Sequence, residues 1–283
     1  MTRVVFHMTV TIIGCPTELG LRREVAGVPS GTIHAPDALR ASGLVKLLGA
    51  RDLGDLPVPP YDPVRRDGVL NAAAVEQFAE AQASAIAEVL DAGAFPLVLG
   101  GDCSLLLGSL RAVQQRGRYG LVFLDGHTDY YTPQTSGTGG IAGMDLYFAC
   151  RSLVDPRHVV HLGRRDFEEA RTYRGELPEE ILDLHLDLVR NEGPRAAAER
   201  AIAHLAELDG YFIHVDADVL DDDFMPCVDS RQPGGLTPEE LRELLAALRP
   251  RAVAAEVTIF DPTKDADGEA ARGLAGILTA FAS

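Results

Sequence analysis

Short apolar runs alternate with longer segments of helical spacing along most of this chain. Val10 to Gly14, Pro96 to Leu99, Leu121 to Leu124, Val159 to Leu162, Phe212 to Val215 and Ala252 to Ala255 are mostly apolar and of strand length. Between them, residues 72–93, 104–116, 143–153, 194–208 and 237–248 read as helices, and 268–282 as a closing helix. An earlier helix is predicted to start at Ala35-Pro36-Asp37, because proline fits the first helical turn. Continuous apolar strands are those of a sheet covered on both faces. The alternation therefore predicts α/β architecture: a single three-layer α/β/α domain over residues 1–283, with a mainly parallel sheet. No linker, repeat or shift in composition divides the chain.

Acidic residues follow the strands. Leu99 leads into Gly100-Gly101-Asp102-Cys103-Ser104, and Leu124 into Asp125-Gly126-His127-Thr128-Asp129. Leu162 leads into Gly163-Arg164-Arg165-Asp166, Val215 into Asp216-Ala217-Asp218, and Ala255 into Glu256. In a parallel sheet these positions share one edge, where open α/β folds place their ligands. Each acid alone has an ordinary reading: Asp102 as a turn former or helix cap, Asp216 and Asp218 as a solvated loop. Together they would repel one another unless a cation neutralised them. Carboxylates, the His127 imidazole and the Cys103 thiolate form a ligand set for divalent ions. Six candidates at one spot point to two metals roughly 3.5–4 Å apart.

Composition narrows the partners. Of 283 residues, 46% are hydrophobic and 24% charged, which excludes a disordered chain. A formal net charge of −16 argues against nucleic acid and suits either a cationic ligand or solubility alone. Four cysteines, at 15, 103, 150 and 227, do not make a disulfide scaffold in a chain of this length. No basic-then-apolar leader is read, and no apolar run reaches the ~18 residues of a membrane span. The expectation is a soluble cytoplasmic protein without a membrane partner. Gly100-Gly101 opens no Gly-x-Gly-x-x-Gly, so a dinucleotide site is not expected.

With these motifs in view, the sequence resembles the arginase/agmatinase family, the ureohydrolases. The family pattern is Gly-Gly-Asp-His-Ser, then Asp-Ala-His-x-Asp, then Ser-x-Asp-x-Asp-x-x-Asp-Pro. Here the matching stretches are Gly100–Ser104, Asp125–Asp129, and His214 through Asp221-Asp222. Gly31–Arg40, Asp52–Leu56, Pro233–Thr237 and Glu256-Val257 are also similar to the family, so the likeness runs through nearly the whole chain. The resemblance implies two Mn²⁺ ions, a small cationic guanidino substrate, and assembly into trimers or hexamers. It implies that Cys103, Asp125, Asp129 and Asp216 hold one ion. His127, Asp125, Asp216 and Asp218 would hold the other, with Asp125 and Asp216 bridging. In the family a metal-bridging hydroxide attacks the guanidinium carbon, and collapse of a tetrahedral intermediate releases a urea and an amine. Glu256 matches the acid that grips the guanidinium by paired hydrogen bonds. Asp129 matches the acid that carries a proton to the leaving nitrogen. Ser136, Asp166 and Glu168 match the regions that meet the amino acid end of the substrate, although Glu168 and Glu169 also read as a solvated helix start.

Three positions depart from the pattern. Cys103 stands where the family has a histidine, and reads either as a thiolate ligand or as an inert apolar residue. Ala142 falls where arginases carry a histidine in a loop after the second motif. Tyr130-Tyr131 replaces a polar asparagine. His161 and His214, in strands just before the ligand loops, are expected to be core or supporting residues. These departures favour arginine-like substrates, with N-omega-hydroxy-L-arginine, a less basic and more easily attacked carbon centre, near the top and L-arginine beside it. Agmatinase, guanidinobutyrase or formimidoylglutamase activity, and a catalytically weak metal-binding pseudoenzyme, are the alternatives.

Overall fold

The computed structural model describes residues 8–282; the expected domain limits, 1 and 283, lie outside that range. Ten strands are named in chain order. They are β1 (Val10–Cys15), β2 (Arg51–Asp55), β3 (Arg65–Arg66), β4 (Val69–Leu70), β5 (Phe95–Gly100), β6 (Tyr119–Leu124), β7 (Val159–Leu162), β8 (Leu182–Leu184), β9 (Gly210–Asp216) and β10 (Ala252–Thr258). Eight form one sheet in the order β2-β1-β5-β10-β9-β6-β7-β8. Every pairing in it is parallel, in line with the expected sheet.

The helices are α1 (Ala35–Ala41), α2 (Leu44–Leu48), α3 (Ala72–Asp91), α4 (Leu105–Gln114), α5 (Asp145–Ser152), α6 (Phe167–Tyr173), α7 (Leu186–Glu192), α8 (Pro194–His204), α9 (Pro238–Leu248) and α10 (Glu269–Leu278). One layer consists of α3, α4 and α5, whose Phe78, Leu110 and Leu146 are buried on one face of the sheet. The other holds α1, α2 and α7 to α10, packed through residues such as Leu39, Leu245 and Leu274. Side chains of successive strand residues alternate between these layers: Leu97 enters one core and Val98 the other. That two-sided burial is why the strands are apolar at every position.

Two local features set up the edge where the acids lie. First, the turn from β5 to α4 is tight. A Cβ at Gly101 would collide with the Thr17 carbonyl oxygen, so only glycine permits this approach. Asp102 locks the turn by accepting from Gly20 N–H at 3.1 Å and Ser104 N–H at 2.9 Å, which is its ordinary reading rather than a metal ligand's. Second, β3 and β4 form an antiparallel ribbon joined by Asp67-Gly68, both at positive φ, as a tight hairpin turn requires. The ribbon braces the long loop after β6: Arg65 donates to the Pro133 and Ser136 carbonyls at 3.1 and 2.9 Å.

At its outer edge β2 is polar and mostly exposed. Arg40 of α1 pairs there with Asp52 at 2.8 Å and Asp55 at 2.6 Å.

Leu97 lies fully buried on β5, in the middle of the sheet. Leu97→Ala is expected to lower stability by about 2–5 kcal/mol through lost burial and the cavity left behind. Urea unfolding of wild type and variant checks this.

Candidate metal centre

Four neighbouring strands place side chains on one rung. Glu256 of β10 is in register with His214 of β9, His214 with Phe123 of β6, and Phe123 with His161 of β7. All point into the layer of α3 to α5, at the ~4.8 Å strand spacing. His214 Nδ1–H donates to Glu256 Oε1 at 2.7 Å, and the Ser109 hydroxyl of α4 donates to Oε2 at 2.6 Å. The His214 ring stacks on Phe123 at 4.6 Å between centroids and 7° between planes. Two residues further along β9, on the same face, Asp216 ends the strand.

Above this rung the acids converge. Asp125, His127 and Asp218 each bring a ligand atom within 4.8 Å of the others. His127 Nδ1 lies 2.8 Å from Asp218 Oδ2, and Gly126 N–H donates to Asp218 Oδ1 at 3.0 Å. Asp125 Oδ1 accepts from His127 N–H at 2.6 Å. Asp216 Oδ1 accepts from Asp218 N–H at 2.8 Å, and its Oδ2 from the Cys103 thiol at 2.9 Å. Thr258 Oγ1 lies 3.1 Å from the same sulfur. His161 supports the arrangement, its Nε2 meeting the His127 carbonyl at 2.9 Å. Burial pushes His161 down to about 4, so the ring is neutral and acts as a donor.

The electrostatics are those of a site made for cations. Burial first, and then Asp218, Asp129 and Asp216, push the Asp125 carboxyl well above the usual range. Burial and Asp218 do the same to Asp216. Burial, helped by Asp216, drives the Cys103 thiol up too. Only Asp218 ends below its ordinary value: burial raises it, but the charge and hydrogen bond of His127 outweigh that. His127 is correspondingly pushed up to about 10, Asp218 overcoming the effect of burial. Asp125 Oδ2 is buried without a hydrogen-bond partner among the described residues. An orphaned oxygen amid like charges, beside imidazole and thiol donors, fits divalent ions, which neutralise carboxylates and deprotonate a coordinating thiol.

A cavity of about 590 Å³ opens onto the cluster, with His127, Asp129, Asp216 and Asp218 on its floor. Two non-glycine residues bordering it have positive φ, Asp129 at 44° and Ile259 at 67°. For a β-branched residue such as Ile259 this is a strained backbone, of the kind that clusters at functional sites. Ser136 and Ala142 also line the cavity, as does Tyr131, while Tyr130 turns away onto Tyr147.

Three expected substrate contacts fall elsewhere. Asp166 is buried under the loop, its oxygens taken by Thr128 N–H at 2.9 Å and the Thr128 hydroxyl at 2.6 Å. Glu168 points to solvent and pairs with Arg171 at 3.3 Å; its neighbour Glu169 borders the cavity instead. The helical spacing of α6 rotates one acid in and the other out. Glu256 is wholly buried, with both oxygens engaged by His214 and Ser109, and so is not free to grip a guanidinium. Two residues without an assigned role join the centre. One is Thr258. The other is Asp145, whose buried Oδ2 has no partner and whose carboxyl is raised by burial and then by Asp129.

Comparison with known proteins agrees with this architecture. The profile of the arginase family matches residues 8–282. Arginase from Bacillus caldovelox is 34% identical over 255 residues, covering 82% of this chain and 83% of that one. Human arginase-1 is 30% identical over 259 residues, covering 82% and 78%. A solved structure of the Bacillus caldovelox arginase superposes with a TM-score of 0.85 at 28% identity, covering 97% of this chain and 98% of that one. No helix of the described residues is long and apolar enough to cross a membrane.

Mn²⁺ is expected to raise the thermal midpoint of the wild type, since a ligand at 100 times its Kd adds about 2.7 kcal/mol. Asp125→Asn should remove most of that gain. Differential scanning calorimetry with and without a chelator checks both.

Proposed function

The chain belongs to the arginase family, and from that premise we propose that it hydrolyses the guanidino carbon–nitrogen bond of N-omega-hydroxy-L-arginine, giving hydroxyurea and ornithine, with L-arginine as a poorer substrate. It is a metal-dependent hydrolase of amidino or guanidino substrates with a two-metal centre. When bound, the two ions, Mn²⁺ in this reading, lower the pKa of a water beside the scissile carbon and offset the carboxylate charge. His127, Asp125, Asp129, Asp216, Asp218 and Cys103 are the residues that would hold them.

The rest of the reaction falls to the cavity. Asp129 sits on its floor with a carboxyl that burial holds above the usual range. Such a group can carry a proton to the leaving nitrogen as the carbon–nitrogen bond breaks. At the wall, Ser136 and the exposed Thr138 offer hydroxyls to a substrate carboxylate, and Glu169 offers an acceptor to an α-ammonium group. Tyr131 and Tyr173 line the approach and limit water around the chain of the substrate.

The observation that carries the choice of substrate is the pairing of Cys103 with Ala142. The first puts sulfur where the family motif has an imidazole, and the second leaves no titratable side chain at its place in the cavity wall. A site with less proton-transfer capacity suits a guanidine that is already less basic, because its N-hydroxyl withdraws electrons. Glu169 favours a substrate with an α-amino group, which agmatine lacks.

The test is a panel of hydroxyarginine, arginine, agmatine, guanidinobutyrate and formimidoylglutamate on Mn²⁺-loaded protein. Hydroxyurea release from hydroxyarginine, at a higher kcat/KM than urea release from arginine, is expected. A preference for agmatine or formimidoylglutamate overturns the substrate, and no turnover of any member favours a metal-binding pseudoenzyme. Asp129→Asn is expected to lower kcat by about 10²–10⁴-fold, the usual worth of a proton-transfer group, while metal content stays measurable by elemental analysis.

A further inference from the structure

The rung beneath the acids holds one more donor. His214 is wholly buried, and its Nδ1–H is committed to Glu256 at 2.7 Å. That hydrogen bond commits Nδ1 and leaves Nε2 as the ring nitrogen open to another partner. Nε2 is buried and has no hydrogen-bond partner among the described residues. A ring nitrogen left without a partner in the interior is disfavoured. Yet the ring is held on three sides: by Glu256, by the stack on Phe123, and by the register of β9 between β10 and β6. A ring nitrogen of His214, the Cys103 sulfur and an Asp216 oxygen all lie within 4.8 Å of one another.

We propose that His214 is a metal ligand through Nε2, that it completes the inner ion's site with Cys103 and Asp216, and that Glu256 is its positioning residue rather than a substrate clamp. This rests on the two-metal reading above. The arrangement is a carboxylate–histidine–metal relay, in which the acid orients the ring and raises its basicity. It also ties the Cys103 departure to a second one, in the third motif. Cysteine occupies the usual histidine position at 103, and histidine the usual serine position at 214, so the imidazole reaches the same ion from the neighbouring strand. A nitrogen and a sulfur on one ion shift preference toward softer metals such as Zn²⁺ or Co²⁺ relative to an all-oxygen site.

Co²⁺ is the probe. Wild type, His214→Asn and Glu256→Gln are loaded, passed through a desalting column and assayed for ions per chain. The thiolate-to-cobalt charge-transfer band reports Cys103 at the inner site. Wild type is expected to hold two ions and show the band, and His214→Asn to keep one ion and lose the band. Glu256→Gln should hold the inner ion about 10–100-fold more weakly, the outer one being unchanged. A general loss of structure would weaken both ions alike, so this split separates positioning from stability.

Two ions and an intact band in His214→Asn overturn the assignment and leave the two-metal reading standing. A wild type that binds no ion overturns both. Because either variant can fail to fold, a Co²⁺-soaked crystal of the wild type gives a second measurement. An ion in bonding contact with His214 Nε2 supports the proposal, and ions that leave Nε2 without a bond overturn it.

Discussion

Carboxylates that share a buried space repel one another, and the molecule is organised around that repulsion. Asp125 and Asp216 are all but removed from solvent, with Asp218 and Asp129 beside them. The protein offers one imidazole, His127, as a nearby balancing charge, and it serves Asp218 foremost. A chain selected for stability alone would not concentrate acid in this way, because an uncompensated buried charge costs several kcal/mol. Divalent cations turn the same arrangement into an attraction. The tight glycine turn, the strained Ile259 and Asp129, and the register of four strands all hold the donors where repulsion would otherwise separate them.

The sheet does this by dividing labour between successive levels. The lower level carries Glu256, His214, Phe123 and His161, held to one another by hydrogen bonds and ring contacts. The upper level carries the acids at the strand ends. The lower row is rigid because it is regular β-structure with helices on its face. The upper row inherits that precision at two residues' remove, which a free loop could not supply.

The fold was largely legible because burial on both faces leaves an unmistakable signature, the short apolar run. Every such run is a strand of the sheet. The elements that escaped are those whose position depends on partners elsewhere. Arg51–Asp55 pairs on one side only and stays polar, and Leu182–Leu184 is too short to carry a pattern. The Asp67-Gly68 hairpin had a local signal that lay outside any apolar run. In the site, the residues that leave strand ends were readable because spacing of two along a strand gives a shared face. His214 and Asp216 carried the same spacing. What hid His214 was that its role depends on the neighbouring strands that hold Glu256 and Phe123. Asp166 and Glu168 misled for a related reason: proximity in sequence to the site did not reveal that Thr128 engages one and that the turn of α6 faces the other outward.

The polar outer edge of β2 bears on how copies of this chain can meet. A parallel sheet with an open, unpaired strand is a template for accretion by further strands. Here that strand carries Arg51, Asp52 and Asp55, and Arg40 ties the last two to α1. An incoming backbone would have to bring its own chain against fixed charges of both signs, an unwelcoming docking strip. Ordered assembly by strand addition at that edge is therefore disfavoured.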